Sequence, residues 1–440
     1  MSNAMRAGAK RAASSRDVFR LTALTAALLG MAGTACADTL LCGGPGCTLD
    51  PALTYTSVVV NNLGIATGNN SRIAGSLYEL TKVNAGGGLT LTGAYILNDV
   101  STPTGTNGRG VTASGVGATA SLTNSDIVLR AFSSNPGTNY AHAYTAGVGA
   151  DAGGHVDISG GSITASGSKR TVGMEAKDGG SINASNLAID TYSSFGHAVN
   201  AYRTVTLGDS VTAIDLDHVT INTHDLNYAV GIQSANKGAS VNATATDITT
   251  VGTNSFGVEV FNGATVVLTN GSIATSGATA AGVRAYGGGV LGLGAVTVNG
   301  TRIATSGLGA AGVVAGAEGS AGIVNLNGGS IVTMGGPVGT DGSAGVLAQY
   351  GSQVSLVNTS VTTSGANAQG LLAAQGTSSG PTVINAVNTT VATSGAGAGR
   401  VRGEWCPDHG ERRLHHHHWG GFGRGATEQR QRYCADGHQG

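Results

Sequence analysis

Apolar and polar residues alternate along this chain in short runs separated by turn residues. One unit contains three such runs, which are GVRA at 282–285, VLGL at 290–293 and RIATS at 302–306. Alternation over three to five residues predicts β-strands, and no stretch of useful length shows the 3.6-residue spacing of a helix. The alternation also predicts that Val283, Leu293 and Ile303 point inward from their strands.

One phrase recurs through the second half of the chain at a nearly constant interval. The threonines of its Ile/Val-x-Thr step are 30, 28, 30 and 30 residues apart, at positions 275, 305, 333, 363 and 393. A period in this range indicates a solenoid, a propeller or an array. A propeller blade needs four strands and usually about 40 residues, whereas each unit here offers three strands. We therefore predict an all-β fold, a parallel β-helix with one repeat per coil.

Strands this short must stack on neighbouring units, because they cannot form a stable sheet alone. In a β-helix each coil supplies the hydrogen-bond partners of the next, and the aliphatic side chains form one continuous core. Asn124, Asn270, Asn358 and Asn388 each lie three residues before the inward residue of the Ile/Val-x-Thr strand. Since Asn tolerates the left-handed turn conformation and can stack its amide on the next coil, these residues are predicted to form the turns.

The phrase SIATSGATAAGVRAYGGG at 272–289, with an Asn or Gly before the strand, resembles the passenger domains of pertactin-like autotransporters of Gram-negative bacteria. The likeness covers about residues 90–398 and is tightest over 256–398. It implies a right-handed parallel β-helix that is exported, passed through the outer membrane by its own C-terminal β-barrel, and displayed as an adhesin or virulence factor. The partners implied are the host cell surface or the extracellular matrix. The expected C-terminal β-barrel is missing from this sequence.

The N-terminus has the pattern of a targeting segment. Basic residues precede the apolar run LTALTAALLGMAGTACA at 21–37, which is too short to span a bilayer and ends in a small-x-small tripeptide. We interpret residues 1–37 as a secretory signal peptide cleaved after Ala37. A lipoprotein anchor at Cys36 is the alternative.

Residues 38–89 are predicted to form an N-terminal cap region before the repeats of residues 90–398. This region contains the sequence CGGPGC at 42–47. Two cysteines that flank a short Gly/Pro-rich loop in an exported chain predict a disulfide between Cys42 and Cys47. The alternative, a metal site, lacks a second pair of ligands.

Composition and charge narrow the classes of function. Only 11% of the 440 residues are charged and 4% are aromatic, while 74 are Gly, which does not fit several compact cores. Residues 38–398 contain 11 Lys and Arg against 18 Asp and Glu, a net charge of −7. A nucleic-acid-binding protein needs the opposite sign. We expect a monomer that needs no cofactor.

The repeat pattern stops near residue 400, and the sequence LHHHHW follows at 414–419. Codons for this run, read one base out of register, can encode Ser-Ile-Thr-Thr-Thr-Gly, which is the repeat phrase again. We therefore predict that residues 399–440 are a frameshifted tail, which would explain the missing barrel. The chain as written would then stop in the periplasm, or be a non-functional truncated product. A histidine metal site and a cationic tail for surface binding are the alternatives.

The densest group of titratable residues consists of Asp215, Asp217, His218, His224 and Asp225. In a strand, Asp215 and Asp217 share one face and could serve as the paired carboxylates of a secreted β-helix polysaccharide lyase or hydrolase. They equally fit the solvated face of a strand whose core residues are Ile214, Leu216 and Val219. We assign no catalytic, cofactor-binding or metal-ligating residue, and we favour a non-enzymatic passenger. His142, His155 and His197, in Gly-rich surroundings, are predicted to lie at the surface.

Overall fold

The computed structural model describes residues 36–37, 39–44, 46–100, 108–131, 145–167, 170–204, 210–224, 227–336, 343–374, 380–403 and 431–435. Over these ranges the regular structure is β-strand, apart from one 3-10 turn at Gly289–Leu291. The described ranges contain no helix that is both long and apolar enough to cross a membrane. The predicted all-β, parallel β-helix fold is confirmed.

Each full coil contributes strands to three ladders, which we call faces 1, 2 and 3 in chain order. Face 1 is a 14-stranded sheet with the strands Leu40–Cys42, Val58–Val60, Glu79–Asn84, Arg109–Ser114, Thr145–Asp151, Thr171–Lys177, Val199–Tyr202, Ile232–Ala235, Val258–Phe261, Val283–Tyr286, Val313–Ala315, Val346–Ala348, Gln369–Ala373 and Gly399–Gly403. Faces 2 and 3 belong to one 26-stranded sheet.

Face 2 consists of Cys47–Leu49, Ile65–Asn69, Gly88–Thr92, the first halves of Thr119–Ala131 and His155–Gly167, and then Ser181–Ser185, Thr212–Asp217, Ala239–Thr244, Thr265–Thr269, Ala295–Asn299, Ile323–Asn327, Gln353–Val357 and Thr382–Val387. Face 3 consists of Cys36–Ala37, Thr54–Tyr55, Arg72–Gly75, Tyr95–Val100, the second halves of the same two long strands, and then Ala188–Tyr192, Thr220–Thr223, Asp247–Thr250, Ser272–Thr275, Arg302–Thr305, Ser330–Thr333, Ser360–Thr363 and Thr390–Thr393. These strands pair in parallel; Gln431–Ala435 pairs antiparallel with Thr382–Val387.

The three faces enclose one continuous apolar core that runs the length of the coils. Val283 and Ile303 are fully buried in it. Leu293 lies elsewhere than the sequence predicted, because it is half-buried and outside any strand, and the strand of that unit is Ala295–Asn299. The Gly-rich stretch before it forms the 3-10 turn, so the chain enters face 2 later and buries Val296 and Val298 instead.

The turn between faces 2 and 3 has left-handed backbone. At Asn124, Asn270, Asn358 and Asn388 the φ angles are 47°, 60°, 52° and 49°, which is the conformation that their place before the strand predicts. The amide Nδ2 of Asn388 donates to Oδ1 of Asn358 in the preceding coil at 3.3 Å. Side-chain amides therefore join neighbouring coils at this corner, in addition to the backbone ladder.

The threonine of the repeated phrase has a structural role at the next corner. Its side chain is buried at positions 275 and 305, where a hydroxyl needs a partner. Thr275 Oγ1 donates to the carbonyl of Ala280 at 2.8 Å, and Thr305 Oγ1 donates to that of Ala310 at 3.1 Å. In these two coils the Thr hydroxyl therefore satisfies a carbonyl of the turn between faces 3 and 1, whereas the buried hydroxyls of Thr333 and Thr363 have no such partner among the described residues.

The coils extend beyond both predicted limits of the repeat region. Residues 38–89, predicted as a cap, already contain strands that pair within all three ladders. Their first turn is closed by a disulfide between Cys42 and Cys47, whose Cα atoms are 5.9 Å apart. At the other end, Gly399–Gly403 continues face 1 by pairing with Gln369–Ala373. The histidines at 415–418 lie outside the described residues.

Candidate functional site: a polar groove on face 2

Two columns of outward side chains define the middle of face 2. The strand register aligns the residues of five neighbouring coils. The first column consists of Ser121, Asp157, Asn183, Asp215 and Asn242, and the second of Thr123, Ser159, Ser185, Asp217 and Thr244. Because residues alternate between core and surface along each strand, the buried positions between the columns are apolar, as at Leu122, Ile158, Ala184 and Leu216.

These columns line a shallow groove of about 390 Å³. Its lining contains Asp, Asn, Ser and Thr together with four apolar residues of the same strands, but no Lys, Arg or aromatic residue. The charge of the groove is therefore negative, and its surface is rich in hydrogen-bonding groups. Most of its exposed lining surface is nevertheless apolar, and the groove differs from the usual small-molecule pocket in being open rather than enclosed.

Hydrogen bonds along the first column fix its side chains in place. Asn183 Nδ2 donates to Asp157 Oδ1 at 2.9 Å, and Asn242 Nδ2 donates to Asp215 Oδ1 at 2.7 Å. His155 lies at one side, with Nε2 3.0 Å from Asp157 Oδ1 and Nδ1 2.7 Å from the hydroxyl of Ser181. Amides and carboxylates thus alternate from coil to coil, and each amide is paired with a carboxylate.

Asp215 and Asp217 share the outer side of one strand, as the alternation predicts, with Ile214, Leu216 and Val219 buried behind them. Asp217 Oδ1 lies 2.8 Å from Nδ1 of His218, and the Asp217 side chain is 55% exposed. An enclosed acid–base pair would need a site that excludes water. Asp215 and Asp217 lie in an open groove instead, so they fit the solvated face of a strand better than they fit an enclosed acid–base pair.

A second polar cluster lies on the outer side of face 1. Arg109 forms ion pairs with Asp151 and with Glu175, and its Nη2 is 3.3 Å from Glu175 Oε2. Its guanidinium reaches across Gly149, where an added Cβ would lie 3.0 Å from Nη1. Asn200 Nδ2 donates to Glu175 Oε1 at 3.1 Å. The cluster therefore connects successive coils.

Glu175 is almost fully buried. Burial raises the pKa of this carboxyl to about 7, and it outweighs the opposite effect of the Arg109 charge. Sequence reasoning missed the cluster, because its members are far apart in the chain. A Glu at an outward strand position gives no sign by itself that it is buried.

A third cluster, further along face 1, surrounds Glu259. Tyr228 Oη donates to both oxygens of this carboxylate, at 3.0 and 3.2 Å, and Gln233 Nε2 donates at 2.9 Å. Arg284 Nη1 lies 3.2 Å from Glu259 Oε1, while the guanidinium stacks over the rings of Phe256 and Tyr286. The buried charges are paired and hydrogen-bonded, as a stable interior requires, so this cluster anchors loops onto face 1.

The predicted surface position of His197 is wrong, because its side chain is only 3% exposed. Burial and the nearby positive charge of Arg170 lower the pKa of His197 to about 3. His224 is partly exposed on face 3, where Nε2 lies 2.9 Å from Asp190 Oδ1 and the ring stacks on Tyr192 at 4.5 Å. His224 and Asp215 lie on different faces, and His142 and Asp225 lie outside the described residues. Within the described ranges, no group of three or more His, Cys, Asp or Glu residues could hold a metal ion.

Comparison with known proteins adds one finding about the fold. No family model and no curated protein matches the sequence. Among solved structures, the chain is similar to Vag8 of Bordetella in the cryo-EM structure of the Vag8–C1 inhibitor complex. The match has a TM-score of 0.50 at 16% identity and covers 77% of this chain and 79% of that chain.

The chain shares the parallel β-helix fold of Vag8. Vag8 is an autotransporter passenger, so the fold that the sequence resemblance implied is also the one found by structural comparison. At this level of identity, the likeness concerns the architecture and not individual residues. The role of each outward side chain must be argued from this chain alone.

Proposed function

We propose that this chain is an autotransporter passenger that is displayed on the cell surface, where it binds a host macromolecule as an adhesin or virulence factor without catalysing a reaction. The observation that carries the proposal is the β-helix itself, which matches Vag8 over 77% of the chain. Vag8 was solved in complex with C1 inhibitor, a separate protein. The N-terminal signal pattern of residues 1–37 supports export.

The architecture suits such a role. An exported solenoid presents long, regular outer surfaces on a rigid core, and solenoids commonly use such extended surfaces for binding. The body has an excess of acidic residues, which disfavours nucleic acid and anionic lipid as partners. The groove on face 2 carries two columns of outward polar side chains across five coils, so we place the binding site there.

The test is surface display followed by binding. Residues 1–403 would be fused to an autotransporter barrel in a Gram-negative host, with a variant lacking residues 1–37 as the control. We expect antibody labelling and protease accessibility on whole cells for the full fusion only. Displayed cells should then bind cultured host cells, matrix-coated surfaces or purified C1 inhibitor more strongly than cells displaying the barrel alone. Lack of display, or display without any gain in binding, would contradict the proposal.

A secreted polysaccharide lyase or hydrolase is the second candidate function. It is favoured by one observation, the two neighbouring carboxylates of Asp215 and Asp217 in the groove. Product formation from defined polysaccharides would be measured for the unmodified chain and for the Asp215→Asn and Asp217→Asn variants. Cleavage that both substitutions abolish would support this candidate, whereas equal product levels in all three proteins would exclude it.

A further inference from the structure

We propose that the groove on face 2 binds a neutral, hydroxyl-rich oligosaccharide that lies parallel to the axis of the β-helix. This inference rests on the proposed binding function and names the chemical class of its ligand. It follows from the hydrogen-bonding groups of the groove, from their spacing and from their rigidity.

The hydrogen-bonding groups match hydroxyls better than anions. None of the groove residues is basic, so the groove offers no counter-charge to sulfated, uronic or phosphorylated chains. Its carboxylates already accept hydrogen bonds, Asp157 from Asn183 and Asp215 from Asn242. The remaining groups are second carboxylate oxygens, amide oxygens and N–H groups, and the hydroxyls of Ser and Thr. This mixture both accepts and donates, as sugar hydroxyls do, whereas a guanidinium or ammonium group only donates.

The spacing of the groups is regular along the axis. Neighbouring strands lie about 4.8 Å apart, which is close to the length of one sugar unit in an extended oligosaccharide. The first column presents one polar side chain per coil, from Ser121 to Asn242. The five coils therefore span about 19 Å, enough for four or five sugar units. Each unit would meet an equivalent pair of side chains from the two columns.

The groups are held rigidly before any ligand binds. Their side chains are short, so they lose little conformational entropy on binding. Asn183 and Asn242 are already oriented by their bonds to the carboxylates of the preceding coil. Ser185 Oγ donates to Ser159 Oγ at 3.1 Å in the second column. Such preorganisation lowers the cost of binding and compensates in part for the openness of the groove.

The experiment measures binding of linear oligosaccharides to the purified full-length chain by isothermal titration calorimetry. The probes are maltose, cellulose and chitin oligomers of two to seven units. Heparin fragments represent an anionic ligand, and hexa-arginine represents a cationic ligand. We expect at least one neutral series to bind. Its affinity should rise with length up to four or five units and then remain constant, because the groove ends there.

The variant that removes the proposed contacts is Asn183→Ala with Asn242→Ala. The matched control is Asn325→Ala with Asn385→Ala, since these residues occupy the same outward column of face 2 beyond the groove. Loss of two amides should weaken binding about tenfold or more, and the control should change it less than about twofold. Circular dichroism spectra of both variants would show that the fold is intact.

Three outcomes would overturn the inference. These are no binding of any neutral series at millimolar concentration, preferential binding of hexa-arginine or heparin, and equal losses in the two double variants. The assay uses protein in solution, so it is independent of surface display. A chain that is displayed and binds host cells but no oligosaccharide would contradict this inference and leave the proposed function standing.

Discussion

Substitution of Gly312 by Ala tests how closely the coils stack. Gly312 precedes the face 1 strand Val313–Ala315 and belongs to the repeated Ala-Gly-Val phrase. A Cβ added at this residue would lie 2.2 Å from Cγ2 of Ile331 and 2.6 Å from the carbonyl oxygen of Gly345. Gly282 has the same surroundings one coil earlier. The Gly of the phrase therefore avoids a close contact with the opposite face and with the next coil.

The expected magnitude follows from these distances. Ordinary contacts of a Cβ begin near 3.4 Å, so the strand or Ile331 must move by about 1 Å, and overpacking of this kind typically costs about 1–3 kcal/mol. Ala198 occupies the equivalent position in an earlier coil and is buried there, which shows that a coil can adapt to one methyl group. We therefore expect Gly312→Ala to lower the free energy of unfolding by about 2 kcal/mol.

The assay is guanidinium unfolding followed by circular dichroism, with hydrogen exchange to measure the local stability of the coils around Gly312. The control is Gly288→Ala. Gly288 has an extended backbone and no atom within 4 Å of an added Cβ, so its substitution should change stability by less than about 0.5 kcal/mol. A loss of less than about 0.5 kcal/mol for Gly312→Ala, or an equal loss for both variants, would refute the reasoning.

Four further predictions concern other parts of the chain. Ala245 has a φ of 47° at the turn where most other coils have Asn or Gly, so Ala245→Asn should raise the free energy of unfolding by about 1 kcal/mol in chemical denaturation. The raised pKa of Glu175, about 7, means that its contribution to stability is complete below its unfolded pKa near 4.5 and is lost as pH rises through 7. Glu175→Gln should therefore flatten the stability profile between pH 4.5 and 7, and an unchanged profile would contradict the assignment. Replacing Cys42 and Cys47 by Ser should destabilise the first coil by about 2 kcal/mol, measured by hydrogen exchange there with and without reductant. Sequencing of the gene across the codons for residues 396–419 should reveal a shifted frame that continues the repeats, and an unaltered frame would show that the histidine-rich tail is genuine.

The β-helix could be predicted because its physical requirements repeat in every coil. Ile303 marks an inward position of one coil, and Asn270 marks the turn that precedes the equivalent position of another. Each such feature appears in several coils, so a misleading pattern in one coil can be recognised by comparison with the others. Leu293 shows where this reasoning fails. The Gly-rich connection around it is two residues longer than the corresponding connection of the next coil, and only the three-dimensional structure shows that the chain forms a 3-10 turn there before it enters face 2.

Strands at the chain's N-terminal end were missed for a different reason. Leu40–Cys42 and Thr54–Tyr55 have three and two residues, too few to show an alternation. They are held by pairing with the next coil and by contact with the core. Neither interaction produces a recognisable pattern in the local sequence. The Arg109–Glu175 ion pair joins residues 66 positions apart. It depends on Gly149 leaving room for the guanidinium, and no short-range pattern encodes such a contact.

The polar groove is less predictable from the sequence than the β-helix core, but more predictable than the Arg109–Glu175 ion pair. Its residues do not contribute to the core, so the apolar pattern that predicts the fold does not select them. Their separations are nevertheless set by the coils, since Asn183 follows Asp157 by 26 residues and Asn242 follows Asp215 by 27. Once the register of the coils is known, reading the equivalent outward residue of each coil in turn brings the amides and carboxylates into one column. In a solenoid, the outward residues that share a surface are therefore identified by comparing the same position in successive coils. The pattern along the chain identifies only the core residues.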